Sequence, residues 1–130
     1  MSVSNDFLYE VGKRIEANGI ASFEEDLFVH YMPADVTVGT LLIEPLRGLQ
    51  INHELIGYHD HRYELVHRNT DYDEGFSVCA QLIDALTVAG EKVGDFEIQY
   101  LRAAHWPVPY PINDGDLIEF SIAFDANFSI

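Results

Sequence analysis

Cysteine and positive charge are both scarce in this 130-residue sequence, and each shortage excludes a class of protein. The single cysteine, Cys79, excludes an internal disulfide and a thiolate metal cluster within one chain. Seven lysines and arginines stand against 22 aspartates and glutamates, so the net charge is −15. Because phosphate binding draws on clustered basic side chains, this balance disfavours a nucleic-acid-binding domain.

The acidity itself has two explanations that composition does not separate. It keeps the protein soluble through self-repulsion, or it provides a surface past which DNA moves without binding. The absence of an apolar run of ~18 residues argues against a membrane span. Residues 1–6 also lack the basic start and apolar stretch of a secretion signal. We therefore expect no membrane association and a protein that is made in the cytoplasm.

Motifs for catalysis and cofactor binding are missing as well. The nine glycines are scattered and form no phosphate-binding loop, and no serine or cysteine nucleophile arrangement is recognisable. Cys79 falls in an apolar helical pattern, which is typical of a buried small hydrophobic residue. We therefore expect a protein that is not an enzyme and that holds no cofactor and no metal.

The periodicity of apolar residues predicts a first helix followed by three strands. Leu8, Val11 and Ile15 stand at helical spacing within residues 6–18, and Asn18-Gly19 is a typical helix end. Short strands are predicted at residues 27–31, 40–44 and 62–68, with an irregular excursion at residues 46–60. In the third strand, Tyr63 and Leu65 are expected on one face and Arg62, Glu64 and Arg68 on the other.

A second helix has the clearest boundary in the sequence. Residues 69–74 offer a cap and carboxylates for a first turn, where they suit the free backbone N–H groups and the helix dipole. Five apolar residues then recur at steps of three and four residues and define one face: Phe76, Cys79, Ala80, Ile83 and Leu86. Gly90 is predicted to end this helix or to lie just past it.

The rest of the chain predicts two more strands beside a proline-rich segment. The strands are expected at residues 95–101 and 118–125, with a turn at 113–115. The prolines in residues 105–111 predict an extended edge or a loop. The predicted fold is α+β: a mainly antiparallel (mixed) sheet with two helices packed on one face, in a single domain over residues 1–130. The opposite sheet face is expected to be polar.

Two groups of residues have side chains suited to metal or acid–base chemistry. His59 and His61, with His53 and His67 nearby, are potential metal ligands that point the same way in an extended chain. The glycine-flanked segment nevertheless favours solvated loop histidines. The carboxylates of residues 71–74 are of a type that binds Mg²⁺ or transfers protons, but their position favours capping of the second helix.

The aromatic and proline-rich stretch from His105 to Pro111 is the third candidate. Trp and Tyr on a rigid extended segment suit a protein interface, because they bury a large area at low entropic cost. Packing against the chain's own core and a platform for a substrate are the alternatives.

The segment from Gly57 to Gly75 resembles the strand-then-helix core of the tail-terminator and minor capsid proteins of long-tailed bacteriophages. In that family, an aromatic-bearing strand leads into an Asp-Tyr-x-Glu-Gly-like helix start, which here reads Asp71-Tyr72-Asp73-Glu74-Gly75. The stretch from Ala104 to Asp125 is similar to the closing hairpin of the family, and the first helix matches as well. The likeness concentrates in residues 57–87 and 103–125, and its motifs are signatures of a fold.

The resemblance implies a structural virion protein, a tail terminator that forms a hexameric ring, caps the tail tube and joins it to the head connector. Its implied partners are further copies of itself, the major tail tube protein and the head–tail connector protein, while genomic DNA passes through the pore without specific binding. A head-completion or connector subunit is the alternative function. A host module for a small ligand or a peptide, and a hydrolase using the histidine and carboxylate cluster, are further alternatives.

A cyclic ring requires two different complementary patches on each subunit. Exposed-looking apolar residues in the excursion and in the proline-rich segment are the candidates: Leu49, Ile51, Leu55, Ile56, Trp106, Val108 and Tyr110. Because each chain carries a charge of −15, repulsion opposes assembly. We therefore expect salt or Mg²⁺ to strengthen association by screening.

Overall fold

The computed structural model describes residues 3–44, 53–112 and 117–130. Its elements are, in chain order, α1 (Val3–Ala17), β1 (Leu27–Val29), β2 (Gly39–Ile43), β3 (Tyr58–Asn69), α2 (Tyr72–Ala85), β4 (Val88–Val93), β5 (Phe96–Ala103), β6 (Val108–Ile112) and β7 (Leu117–Ser129). The strands form one sheet in the order β1-β2-β3-β7-β5-β4, and β6 pairs with β7. β1 and β2 run parallel, whereas the other paired strands are antiparallel.

The long strands β3 and β7 form the centre of the sheet. They pair along the whole of β3, from Tyr58 opposite Ser129 to Asn69 opposite Ile118. Alternate side chains of β7 are buried on one face of the sheet: Phe120, Ile122, Phe124, Ala126 and Phe128. The period-two alternation that predicts this strand therefore also determines which side chains enter the core.

Both helices pack on this same face. From α1, the Phe7 ring stacks on the Phe128 ring with centroids 4.0 Å apart. The apolar residues predicted for α1 are buried in the same core as Cys79 and Leu82 of α2 and its C-cap, Leu86. The predicted fold class is therefore confirmed, with a mixed, mainly antiparallel sheet and two helices on one of its faces.

Helix α2 begins where the sequence predicts. Asp71 is the N-cap, and its carboxylate accepts a hydrogen bond from the backbone N–H of Asp73 at 3.0 Å. The first turn lies so close to the sheet that a Cβ added at Gly75 would stand 2.3 Å from the Phe120 ring. Asp71 and Gly75 therefore have different roles at this helix start, because Asp71 caps the helix and Gly75 permits its close approach to β7.

The structure differs from the sequence prediction around Gly90. Helix α2 ends at Ala85, with Leu86 as the C-cap, and β4 begins only two residues later. Gly90 lies inside β4 with a φ of 62°. The prediction missed β4 because this edge strand has mostly exposed side chains, and so its sequence lacks the alternation that marks a half-buried strand.

Several other element ends also differ from the prediction. β3 begins at Tyr58, within the predicted excursion, and β7 continues to Ser129, because each strand supplies the hydrogen-bonding partners of the other. Helix α1 begins at Val3. β1 stops at Val29, where the following residue, His30, has a φ of 73°. The predicted turn at residues 113–115 lies outside the described residues, as do residues 46–52 of the excursion.

Candidate protein–protein interface

Three of the predicted interface candidates lie along β6 or directly before it. Trp106 is 70% exposed, Tyr110 58% and Val108 39%. Val108 and Tyr110 are paired with Ser121 and Glu119 of β7, whose side chains alternate with the buried ones. Val108 and Tyr110 therefore lie on the sheet face opposite the helices, which we term the outer face. Trp106, Val108 and Tyr110 together are termed the β6 edge surface.

Trp106 lies on the helix side of this edge, where it lines a shallow hollow with Ile83 of α2. The preceding residue, His105, connects the tryptophan to the sheet. Its Nδ1 donates to the Trp106 carbonyl at 2.7 Å, and its Nε2 accepts from the backbone N–H of Ala123 at 3.3 Å. The histidine thereby bonds to β7 between β5 and β6, and it holds the backbone that presents the indole.

The free edge of β6 has prolines at its outward positions. The Ala123 carbonyl accepts from the Ala104 N–H at 2.8 Å, so the odd-numbered residues of β7 direct their backbone groups toward this side. The backbone groups of Val108 and Tyr110, which are paired with odd-numbered residues, therefore bond to β7. The backbone groups of Pro109 and Pro111 point away from β7, toward the free edge. Because proline has no N–H, these positions offer no donor to an added strand. The carbonyls at these positions remain acceptors, but a regular ladder with an added strand is disfavoured.

A second group of exposed apolar residues lies at the other end of the long strands. Leu55 is 59% exposed, Ile130 62% and Ile56 94%. The Ile130 N–H donates to the Gly57 carbonyl at 3.0 Å, which holds the end of β7 against this turn. Leu55, Ile56 and Ile130 are termed the Ile56 surface.

The two surfaces are separated by most of the length of β7. Tyr110 is paired with Glu119, whereas the Ile56 surface adjoins Ser129, so they lie roughly 30 Å apart along the strand. The candidates predicted from the sequence therefore form two distinct surfaces. The predicted candidates Leu49 and Ile51 lie outside the described residues.

Cross-strand ion pairs link β3 to β7 on the outer face. Arg62 Nε donates to Asp125 at 2.9 Å, and this hydrogen bond together with the carboxylate charge raises the pKa of Arg62. Arg68 pairs with Glu119 at 3.0 Å and also donates to the carbonyls of residues 33 and 36, which holds that segment against the sheet. The outer face is therefore polar, as the alternation predicts, and much of its charge is paired.

His59 and His61 lie in β3 and face the helix side of the sheet. Their ring centroids are 5.8 Å apart, and the His59 ring packs 5.2 Å from the Phe128 ring. Burial lowers the pKa of His59. The prediction of solvated loop histidines is wrong for these two residues, because pairing with the end of β7 extends β3 to include them. In the described part of the chain, no group of three or more potential ligands is placed to hold a metal ion.

The sequence prediction missed a buried polar network around His67, which is 2% exposed. Its Nδ1 lies 3.1 Å from Thr40 Oγ1, and its Nε2 lies 3.2 Å from Asn69 Nδ2. Burial lowers the pKa of His67 to about 4, against opposing contributions from a hydrogen bond with the Gly39 backbone and the charge of Asp26. The ring is therefore neutral at pH 7. Its position on the core face of a strand was the available signal, since alternation places it with Leu65.

The thiol and the helix-start carboxylates have structural roles. Cys79 is fully buried, as predicted, and burial raises the pKa of its thiol to about 12. The capping explanation for Asp71 is confirmed by its hydrogen bond to the Asp73 N–H. Neither described helix has the length and hydropathy required to cross a membrane.

Comparison with known proteins agrees with the resemblance seen in the sequence. Residues 14–130 match the family described as bacteriophage tail terminator protein. No curated protein matches the chain. A solved chain from the virion of a native gene transfer agent particle superposes with a TM-score of 0.68, covers 92% of each chain and shares 11% sequence identity, which demonstrates a common fold. The chain therefore belongs to the bacteriophage tail terminator protein family and is a structural component of the virion tail.

Proposed function

We propose that six copies of this chain form a closed ring that caps the tail tube and joins it to the head connector. The observation that carries the proposal is the family match, which extends over residues 14–130 and so includes the whole described sheet. The partners of the ring are then the major tail tube protein on one side and the head–tail connector protein on the other.

The arrangement of exposed apolar residues supports a ring. A cyclic assembly uses heterologous contacts, in which two different surfaces of neighbouring copies meet. The β6 edge surface and the Ile56 surface differ in sequence and lie at opposite ends of the long strands. A two-fold dimer, in contrast, needs a single self-complementary patch.

The charge of the chain supports the passage of DNA through such a ring. Few basic side chains are present, and four of them already form ion pairs with carboxylates: Lys13, Arg14, Arg62 and Arg68. A net charge of −15 per chain repels phosphate. DNA is therefore expected to cross the pore without specific binding.

The proposed role needs no catalysis. The Cys79 thiol is buried and protonated at pH 7, Asp71 caps α2, and His67 is bonded to its neighbours in the sheet. These groups are occupied in holding the fold, which supports a protein that acts by shape and contact.

Native mass spectrometry and negative-stain electron microscopy test the ring. We expect a species with the mass of six 14.7-kDa chains and a ring-shaped projection with a central hole. A monomer at every protein and salt concentration would contradict the proposal. Incubation with purified tail tubes and with tailless heads then distinguishes the roles, because a terminator binds tube ends, whereas the alternative head-completion subunit binds heads in the absence of tails.

A further inference from the structure

We propose that Asn69 is a relay through which protonation of the buried His67 ring opens the first turn of α2. The device is an acid-sensitive joint between the end of β3 and the helix that follows it. It lies within a single chain, so it goes beyond the proposed ring and does not depend on it. The hydrogen bonds that connect His67, Asn69 and Asp71 support it.

The amide of Asn69 joins two groups that both depend on its orientation. Its Oδ1 accepts a hydrogen bond from the backbone N–H of Asp71 at 3.0 Å, and its Nδ2 lies 3.2 Å from His67 Nε2. Because an amide nitrogen only donates, Nε2 must accept, and the neutral ring carries its proton on Nδ1, 3.1 Å from Thr40 Oγ1. The side chains of His67, Asn69 and Thr40 are at most 2% exposed, so they satisfy one another's hydrogen bonds.

A second proton on His67 does not fit this arrangement. The protonated ring donates from both nitrogens, so its Nε2–H would face the amide donors of Asn69. Turning the amide over gives Nε2–H an acceptor, but it places Nδ2 against the Asp71 N–H, which then has none. Asp71 is exposed whereas Asn69 and His67 are buried, so the Asp71 N–H regains a partner most easily by moving outward to water.

Asp71 carries the first hydrogen bonds of α2. Its carboxylate accepts from the Asp73 N–H at 3.0 Å, and its carbonyl accepts from the Gly75 N–H at 2.9 Å. An outward movement of Asp71 breaks both bonds, so the first turn loses its cap. This turn lies directly on β7, where a Cβ added at Gly75 would stand 2.3 Å from the ring of the buried Phe120. Opening the turn therefore uncovers an aromatic side chain of the core.

The groups around the His67 ring determine the pH at which the relay acts. Burial lowers the pKa of His67 to about 4, and the charge of Asp26 opposes this shift only in part. β2 and β7 present the uncharged Thr40 and Phe120 to the ring. The carboxylates at the start of α2 are Asp71, Asp73 and Glu74. About one molecule in ten therefore carries a protonated ring at pH 5, against about one in a thousand at pH 7.

Amide hydrogen exchange followed by NMR tests the relay between pH 7 and pH 5. The protection of the Asp71 and Gly75 N–H groups, corrected for the intrinsic exchange rate at each pH, is compared with that of the Ile122 N–H in the core. If protonated molecules open, protection at the helix start should fall by about tenfold per pH unit, because the protonated fraction rises by that factor. The Ile122 N–H reports global unfolding, so it should remain far better protected at pH 5.

Two variants and a matched control separate the relay from other effects of acid. His67→Gln does not titrate, so protection at the helix start should no longer fall between pH 7 and pH 5. Asn69→Asp offers acceptor oxygens to both His67 Nε2–H and the Asp71 N–H, so its helix start should stay closed when the ring is protonated. His59→Gln is the control, because burial also lowers the pKa of His59 but this residue lies near the other end of β3. It should keep the wild-type pH dependence.

The carboxylates at the start of α2 are present in every variant, so their titration cannot produce a difference between them. Protection at Asp71 that parallels protection at Ile122 would overturn the relay, as would a fall that persists in His67→Gln. An Asn69→Asp variant that folds and still opens like the wild type would overturn the role assigned to Asn69. If the buried carboxylate prevents folding, His67→Gln alone decides. Ring formation is measured separately, so none of these results bears on the proposed function.

Discussion

Replacing His67 with glutamine is expected to reduce the loss of stability that the protein suffers on mild acidification. The buried ring contacts Thr40 on one side and Asn69 on the other. Asn69 Oδ1 accepts from the Asp71 N–H at 3.0 Å, which turns the amide Nδ2 toward His67 Nε2. Nε2 must therefore be an acceptor, and the neutral ring carries its proton on Nδ1. A second proton on Nε2 would face the amide donor of Asn69.

The magnitude follows from the difference between the folded and the unfolded pKa. The pKa of His67 is about 4 in the folded protein, whereas a fully solvated histidine, as in the unfolded chain, has a pKa of 6.5. The unfolded state therefore binds more protons than the folded state between these two pH values. The contribution of neutral His67 to the free energy of unfolding is thus complete above pH 6.5 and is lost as the pH falls toward 4. Between pH 7 and pH 5 the loss amounts to about 2 kcal/mol.

Urea unfolding of the monomer at pH 7, 6 and 5 measures this effect. Glutamine keeps a donor and an acceptor but does not titrate, so the variant should lose about 1–2 kcal/mol at pH 7 through imperfect packing. The difference between the two proteins should then shrink by about 2 kcal/mol at pH 5. The lowered pKa of His59 affects both proteins equally and cancels. Parallel stability profiles for wild type and His67→Gln would refute the account.

Three other predictions concern packing, capping and charge. Gly75→Ala should destabilise the fold by about 1–3 kcal/mol in urea unfolding, because its Cβ meets the Phe120 ring, while Ser77→Ala on the exposed side of α2 should have little effect. Asp71→Ala should cost about 1 kcal/mol in the same assay, and Asp71→Asn should retain most of the stability, since asparagine also caps helices. Association in a dilution series followed by light scattering should strengthen with NaCl or Mg²⁺, and weaker association with added salt would contradict a dominant repulsion between chains of charge −15.

The sequence predicts those elements whose patterns arise from local chemistry. β7 alternates because one of its faces is buried, and the start of α2 is recognisable because Asp71 and Gly75 each meet a local requirement. β4 escapes prediction because an edge strand with exposed side chains has no such pattern, and Gly90 in its middle is typical of a helix end. The extension of β3 to Tyr58 depends on the distant β7, which local periodicity cannot reveal.

The candidate surfaces were predictable as residues but not as an arrangement. Exposure of Trp106 and Tyr110 follows from their place among prolines, and Ile56 follows from its irregular surroundings. Their separation depends on the register between β3, β6 and β7, which no single segment encodes. The His67 network was missed for the same reason, since its partner Thr40 comes from another strand.

Two edges of the described sheet are protected against the addition of a strand. At β1, the Glu24 N–H donates to the Leu27 carbonyl at 3.1 Å, so the chain itself covers this edge. At β4, Gly90 with its φ of 62° interrupts the regular strand, and Glu91 forms an ion pair with Arg14 at 3.3 Å beside the exposed Lys92. Charges and irregular backbone are the usual means by which edge strands avoid pairing with other chains.

At β6 the protection comes from proline, and removing it tests whether the edge limits assembly. The double variant Pro109→Thr with Pro111→Thr restores two N–H donors at outward positions of the strand. We expect it to associate by sheet extension into open-ended species that sediment rapidly and persist when Trp106→Glu is added. Because such pairing uses backbone groups, it should not need the side chains that join the ring. Rings of unchanged size from the double variant would show that the prolines do not limit growth, and that side-chain contacts alone close the assembly.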